Sequence, residues 1–439
     1  VDELRGIRLA AAIGATDRGT LWRASREREH DRIVRVIAPR FCDGRFRQAL
    51  STLRQRGHDR VLGVAGEGWS DGHYYVEYSV HAAWRSLAEW LGTPADWWER
   101  LAVLGDVCDA VAHWQRSPLH PLGMTLHSVV VVGHAGEARP WLVPCPPMAV
   151  TSPCDLFGVD AAVVATLAPE TIRGVPFDDR AQDAYALGTL AAQVLGCRPA
   201  RLAADDDEHQ LEAQARGVLL RSTATGSHIP EYLHTTPEVE RLFIAIRHYR
   251  HLKPDVRPRD AAELRTAIAA VTEPLWLAGA LRAADPAAAL RVLTRAIDRA
   301  PERLDLRRER CLVAEDVIER SEGPVADGVE ERLLRDLKVV ADFDAEDGAS
   351  WHRRAALVHL RRGDPAGAAT AFHAATVADP GDLDSLLGYA QCWVELRDPG
   401  NAWLTAVEAN RRVDRMARNH LLTDWEADQW RARFAMYMR

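Results

Sequence analysis

Residues 120–133, HPLGMTLHSVVVVG, run from a short polar loop into four valines and a glycine. A loop of this kind, feeding an apolar strand, can place a general base and a metal ligand beside a reacting group. Here the layout is present and the chemistry is missing. The segment holds no aspartate, glutamate or asparagine. No aspartate lies between Asp109 and Asp155, and the first asparagine of the chain is Asn401. The first lysine is Lys253 and the only other is Lys338, so permanent positive charge before residue 253 belongs to arginine side chains. The seventeen histidines form no HExxH motif, and seven scattered cysteines, from Cys42 to Cys392, form no CxxC pair. An odd count without metal spacing reads as reduced thiols in a cytoplasmic setting. No metal and no cofactor are expected.

The elements that must position these residues alternate first and turn helical later. IRLAAAIG, TLWRASR, IVRVIA, VLGVAG and YYVEYSV are short apolar or alternating runs that read as strands, with turns such as GEGWSDG between them. One helix candidate, residues 44–56, interrupts the series. From residue 84 the pattern reads as helix, WRSLAEWL and then DWWERLAVLGDVCDAVAHWQ. VVVV and RPWLVP read as a hairpin around GHAGEA, helices dominate after residue 182, and from about residue 274 the composition shifts to Ala, Leu and Arg. The net charge of −8 argues against a general nucleic-acid partner. No run of 18 apolar residues suggests a membrane span, and VDELRGIRLAAAIG lacks a basic-then-apolar signal layout.

Residues 168–199 carry the most specific pattern. Ala168-Pro169-Glu170 matches an A-P-E motif, and Asp183-Ala184-Tyr185-Ala186-Leu187-Gly188 matches a D-x-Y-S-L-G helix start. Downstream, KPDVRPRDAAELRTAI supplies Arg257-Pro258. Together these resemble the large lobe of serine/threonine protein kinases. The resemblance implies that Arg257 pairs with Glu170 in a shielded fork and that Asp183 accepts hydrogen bonds from the catalytic-loop backbone. All three are framework roles. IGATDRGTLWRA resembles the glycine-rich loop, with Gly14 and Gly19 as its first and third glycines and β-branched Thr16 in the middle, where it restricts backbone approach to phosphates.

The positions that do chemistry in kinases hold other residues. The third-strand lysine that grips the α- and β-phosphates is Arg35, in IVRVIA, and its glutamate partner is Gln48. Setting VVV against the strand after the catalytic loop puts Gly123 at the base and Ser128 at the metal-binding asparagine; anchoring on His120 gives Leu122 and His127 instead. The metal aspartate falls at Pro144-Cys145-Pro146. A rival, Asp155-Leu156-Phe157-Gly158, would leave a short activation segment before Glu170. The resemblance therefore implies a pseudokinase. An arginine fork at position 35 leaves a second reading, a divergent nucleotide-binding sensor or atypical kinase using the remodelled cleft.

The last third is periodic. Ala289, Leu293, Ala296 and Pro301 share their offsets with Ala368, Phe372, Ala375 and Pro380, and Ala341 lies 34 residues before Ala375. Small-large-small spacing with a proline stop resembles the tetratricopeptide (TPR) repeat, with Gly363-Asp364 turning between paired helices and SEGPVADG as an insertion. That resemblance implies a concave groove lined by Ser350, Arg353, Leu357, Leu360 and Arg361. Two guanidiniums about two helical turns apart would suit an acidic tail or a C-terminal carboxylate of a protein or peptide partner. The final helix, with Trp430, Phe434 and Met438 at helical spacing, reads as a cap on the last repeat.

The expected fold is α+β: a two-lobed kinase-like fold, with a small lobe over residues 1–80 and a large lobe over 81–273, followed by an all-α TPR-like domain over 274–439. The expected role is a catalytically inactive scaffold, adaptor or regulatory subunit, cytoplasmic, acting on a partner protein and on neither nucleic acid nor membrane.

Overall fold

Alternating apolar and polar side chains along the first 80 positions close into one antiparallel sheet in the computed structural model. The structure describes residues 3–4, 6–16, 19–26, 32–55, 60–80, 83–115, 124–133, 138–144, 166–172, 179–196, 228–321, 328–344 and 346–438. Strands β1 (Glu3–Leu4), β2 (Ile7–Thr16), β3 (Gly19–Arg26), β4 (Arg32–Ile37), β5 (Val64–Ser70) and β6 (His73–Ser79) lie in the order β1-β2-β3-β4-β6-β5. Leu21, Ile33, Val34, Ile37, Val76 and Tyr78 are buried in this sheet. Helix α1 (Gly44–Gln55) crosses between β4 and β5, started by the Asp43 carboxylate, which accepts from the Phe46 amide at 2.7 Å. Phe46 and Leu50 bury its inner face, and Phe46 meets Tyr74 edge-on at 6.2 Å.

A second sheet begins where the sequence pattern suggests helix. Trp84–Ser86 is a strand, β7, paired with β8 (Val129–Val132), which pairs in turn with β9 (Arg139–Leu142). The helix cannot start earlier because Ser86 is its N-cap. The Ser86 hydroxyl accepts from the Glu89 amide at 3.2 Å, and the Glu89 carboxylate accepts from the Ser86 amide at 2.8 Å. That capping box opens α2 (Leu87–Leu91), and a second at Asp96/Glu99 opens α3 (Trp97–Trp114). Backbone bonds from Leu62 N to Leu142 O (2.9 Å) and from Leu142 N to Arg60 O (2.8 Å) stitch the two sheets together.

Short α4 (Pro169–Ile172) precedes α5 (Asp179–Val194), whose Ala184, Tyr185, Leu187, Leu190, Ala191 and Val194 are all buried, a helix apolar around most of its surface. Helices α6 (Pro237–Tyr249) and α7 (Ala262–Val271) complete this unit, Val1–Glu273. Gly188 lets α6 come close: a Cβ there would lie 2.7 Å from the Tyr249 Cβ.

The second compact unit, Pro274–Arg439, is entirely helical among the described residues. It runs α8 (Pro274–Arg282), α9 (Pro286–Arg299), α10 (Leu304–Arg320), α11 (Val329–Phe343), α12 (Gly348–Arg361), α13 (Pro365–Ala378), α14 (Leu383–Glu395), α15 (Pro399–Arg418) and α16 (Asp424–Ala435), each packed on the next. Three helices start at Asp-Pro pairs. The carboxylates of Asp285, Asp364 and Asp398 accept from the amides of Ala288, Gly367 and Asn401 at 2.8, 2.9 and 3.0 Å, and proline occupies the first helical position. Ala289, Leu293, Ala368, Phe372, Ala375 and Ala341 are buried between helices, and Ala296 is half-buried. Phe434 is buried in the terminal helix, with Trp430 packed against the same cluster.

Candidate functional site

The sheet and the β8–β9 hairpin of the first unit carry several of the positions singled out in the sequence. Arg35 lies on β4 opposite Leu21 and Val76 and has no exposed surface. Its guanidinium stays charged in that setting. On the neighbouring strand β6, buried Glu77 takes an ion pair from Arg32 at 2.7 Å. Gln48, at the position of the partner glutamate, sits on α1 and is exposed.

Ser128 closes a tight turn. Its hydroxyl accepts from the Thr125 amide at 2.7 Å and donates to the Thr125 carbonyl at 3.2 Å, while the Thr125 hydroxyl accepts from the amides of His127 and Ser128, both at 3.2 Å. Both side chains are buried. The Ser128 hydroxyl thus bonds within its own turn, and His127 lies between the two clasping residues. A Cβ built on Gly14 would lie 2.3 Å from Cγ, 2.4 Å from Nδ1 and 2.6 Å from Cδ2 of His127. The imidazole therefore lies flat against the β2 backbone at the first glycine of the loop motif.

Pro144, where the sequence pattern places the metal aspartate's counterpart, is buried, and its carbonyl accepts from the Tyr78 hydroxyl at 2.8 Å. Gly19 opens β3 with φ of 127°, and its Cα is so close to the Val36 carbonyl that a side chain would clash at 2.0 Å. Thr16 is the last residue of β2. Gly123, Leu122, His120 and Asp155 lie outside the described residues. Among the described residues no group of three or more His, Cys, Asp or Glu side chains could hold a metal ion.

Glu170, Asp183 and Arg257 are each buried. Arg257 Nη1 donates to Glu170 Oε1 at 2.6 Å and Nη2 to Oε2 at 2.8 Å. The same guanidinium donates to the carbonyls of Ala181 (3.0 Å) and His251 (2.6 Å) and lies 4.9 Å from the Tyr185 ring centroid. Burial, followed by the fields of Arg250 and Arg257, sets the Tyr185 phenol, whose pKa is raised because desolvation outweighs both cations.

In the helical unit the arginines singled out from the repeat register each contact groups of the array. Arg353 Nη1 reaches Asp382 Oδ1, at the start of α14, at 3.3 Å. Arg361 turns back to the Ile318 carbonyl (2.9 Å) and to Glu330 (3.9 Å). Each guanidinium is thus also paired to a different acidic neighbour within the array while staying partly exposed. Arg354 pairs with Glu315 on α10, and Arg282 of α8 pairs with Asp316 on α10 at 2.5 Å. Alternate helices α8, α10, α12 and the start of α14 are thus joined by arginine–carboxylate contacts. Leu357, one turn beyond Arg353 and Arg354 on α12, is 56% exposed; Val394 on α14 is 51% exposed. Leu360 is half-buried against the core, and Ser350 is half-buried.

Tyr78, Thr125 and His127 are the parts of the cleft whose contacts motif matching does not pick out. The only sequence signal for the turn is the Thr-x-x-Ser spacing, which is common in loops. Among solved structures, the crystal structure of the Mycobacterium tuberculosis PknI kinase domain is similar at 18% identity and a TM-score of 0.39, over 61% of this chain and 96% of that one. A double mutant of that domain gives 17% identity and a TM-score of 0.40, over 61% and 95%. No protein-family model and no curated protein matches the chain. The order of elements in residues 3–271, strands, a crossing helix, a hairpin and a helical lobe locked by an arginine–glutamate fork, is a protein-kinase-like fold, and a long all-helical region follows it.

Proposed function

We propose that the chain is a pseudokinase: a kinase-like module without phosphoryl transfer, joined to a TPR-like helical array that holds a partner protein, so that the whole acts as a scaffold or regulatory subunit. The observation that carries this reading is the complete burial of Arg35 at the place of the phosphate-gripping lysine. Kinase catalysis is positioning and charge neutralisation. A cation with no exposed surface performs neither role on a nucleotide. The Ser128 hydroxyl is spent on its own turn and the Pro144 carbonyl on Tyr78, which supports the same conclusion.

The partner reading rests on the array. Arg353 and Arg354 are paired within the fold, and two of the array's several open apolar side chains, Leu357 and Val394, stand on the layer of alternate helices. A protein or peptide seated there gains by covering apolar surface at about 25 cal/mol per Å². Among the described residues no helix is long and apolar enough to cross a membrane, and the net charge of −8 does not suit nucleic acid. The test has two arms on the full chain. Labelled ATP with Mg²⁺ or Mn²⁺ should give no phosphorylation of the chain or of generic substrates. Proteins captured from the native host by the full chain should be lost when Leu357 and Val394 are both replaced by glutamate.

A further inference from the structure

The contact between Gly14 and His127 joins two segments that in a kinase are separated by the nucleotide's phosphates. Gly14 lies on β2, in the small lobe; His127 lies at the apex of the turn leading into β8. The ring is not placed there by chance packing of a long side chain. The turn beneath it is clasped on both sides, by Thr125 N to Ser128 Oγ at 2.7 Å and by His127 N and Ser128 N to Thr125 Oγ1 at 3.2 Å. Both hydroxyls are buried, so the clasp exchanges no bonds with water. The Ser128 carbonyl is bonded in turn to the Val143 amide at 2.8 Å, which anchors the turn to the end of the hairpin. The backbone that carries the imidazole is thus set by these hydrogen bonds, and the ring Nδ1 is shielded from solvent. Only glycine accepts the ring at this distance, since Cγ, Nδ1 and Cδ2 would all stand within 2.6 Å of an added Cβ. Ring and glycine backbone form a close-packed contact of the kind that tolerates no extra carbon.

We propose that the Thr125–Ser128 turn is an intramolecular latch, in which His127 seats against Gly14 in place of a nucleotide and couples the small lobe to the catalytic-loop turn without any ligand. The inference rests on reading residues 120–133 as the counterpart of the catalytic loop, but its test needs no nucleotide and no activity. The residues that a kinase would use on metal and phosphate are here used on each other. Ser128 holds the turn, the turn aims His127, and His127 occupies the space below the glycine strand.

A double-mutant cycle on the full chain tests the latch. Gly14→Ala should lower the melting temperature by roughly 3–6 °C, since the new methyl collides with the His127 ring. His127→Ala should cost less. The double variant Gly14→Ala/His127→Ala should melt with His127→Ala alone, because the methyl then enters space the ring has left. Amide hydrogen exchange along Ile7–Thr16 should quicken in His127→Ala and leave α3 unchanged. A double variant that melts at the sum of the two single losses would show that the residues do not touch, and the latch would be discarded. Unchanged exchange along β2 in His127→Ala would discard the coupling even if the clash is real. If Gly14→Ala fails to fold, recovery of folding in the double variant supports the latch as the cycle would, and failure of the double variant to fold discards it. Phosphoryl transfer by the wild type would overturn the proposed function and leave this cycle standing, so the two failures are separable.

Discussion

Arg257 and Glu170, 87 residues apart, meet in a two-point fork with both side chains buried, 2.6 and 2.8 Å across. The remaining guanidinium hydrogens go to the carbonyls of Ala181, His251 and Leu252, none of them charged, so the cation is neutralised only while Glu170 is in place. Glu170→Ala leaves an uncompensated buried charge, and losing one partner of such a pair costs about 3–5 kcal/mol. Thermal or urea unfolding of the full chain should show the loss in the transition of the kinase-like unit, with the helical unit unaffected. An unchanged transition would mean that the fork does not hold the lobe.

Arg35→Lys should not restore phosphoryl transfer. The substitution returns the residue type that kinases use, but the position stays buried in β4 and neither Ser128 nor Pro144 supplies a metal-binding carboxylate. Incorporation of labelled phosphate by this variant would show that the missing lysine alone silences the site.

Arg353→Glu with Arg361→Glu should destabilise the array as well as alter its surface, because the new carboxylates would face Asp382 and Glu330. Both arginines are about 40% or more exposed, so solvent screening keeps each lost pair to under ~1 kcal/mol. Leu357→Glu with Val394→Glu should leave the melting temperature near wild type and abolish partner capture. Capture that survives this change would move the partner site off the α12–α14 layer.

Acid should loosen the array before neutral buffers do. The Asp364 carboxyl is held below its ordinary value by the Gly367 amide and then by His359, and that of Asp398 by the Asn401 amide and side chain. A depressed acid contributes stability that is present above its unfolded pKa, about 3.9, and lost as pH falls through the lower folded value. Helical signal should therefore fall with pH below about 4. Asp398→Asn keeps an N-cap acceptor without a titrating group and should blunt that fall; an identical acid profile would exclude this cap as a contributor.

The fork was legible because each half sits in a motif of its own, A-P-E and the arginine before Pro258, although nothing local links them. Alternation located β2, β3, β4 and β6, and the helix over residues 44–56 corresponds to Gly44–Gln55, but GEGWSDG, read as a turn, runs mostly in β5 (Val64–Ser70), where pairing with β6 holds its glycines extended and leaves only Asp71-Gly72 to turn. The strand at Trp84–Ser86 was not legible. A three-residue strand lacks a period, and WRSLAEWL has helical spacing throughout; only the Ser86–Glu89 capping box marks where the helix begins. The contact of His127 with Gly14 is likewise invisible in sequence, since it depends on the direction of one turn. The arginines of α12 show a third limit. Spacing placed Arg353 and Arg361 on one face, but their partners, Asp382 and Glu330, lie on opposite neighbours, and charge pairing between helices has no local signature.

The joints between alternate helices of the array have a mechanical consequence. Arg282–Asp316, Arg354–Glu315 and Arg353–Asp382 each bridge one helix to the next of its layer, and all are partly open to water. A bridge of this kind is worth about one thermal energy or less and is screened over ~8 Å at physiological salt. Each joint is therefore a weak spring, and salt sets its stiffness. Raising ionic strength softens every hinge together without touching the apolar seams of the hairpins, so a partner that must bend the array should bind faster in salt, while one that needs it straight should bind more slowly.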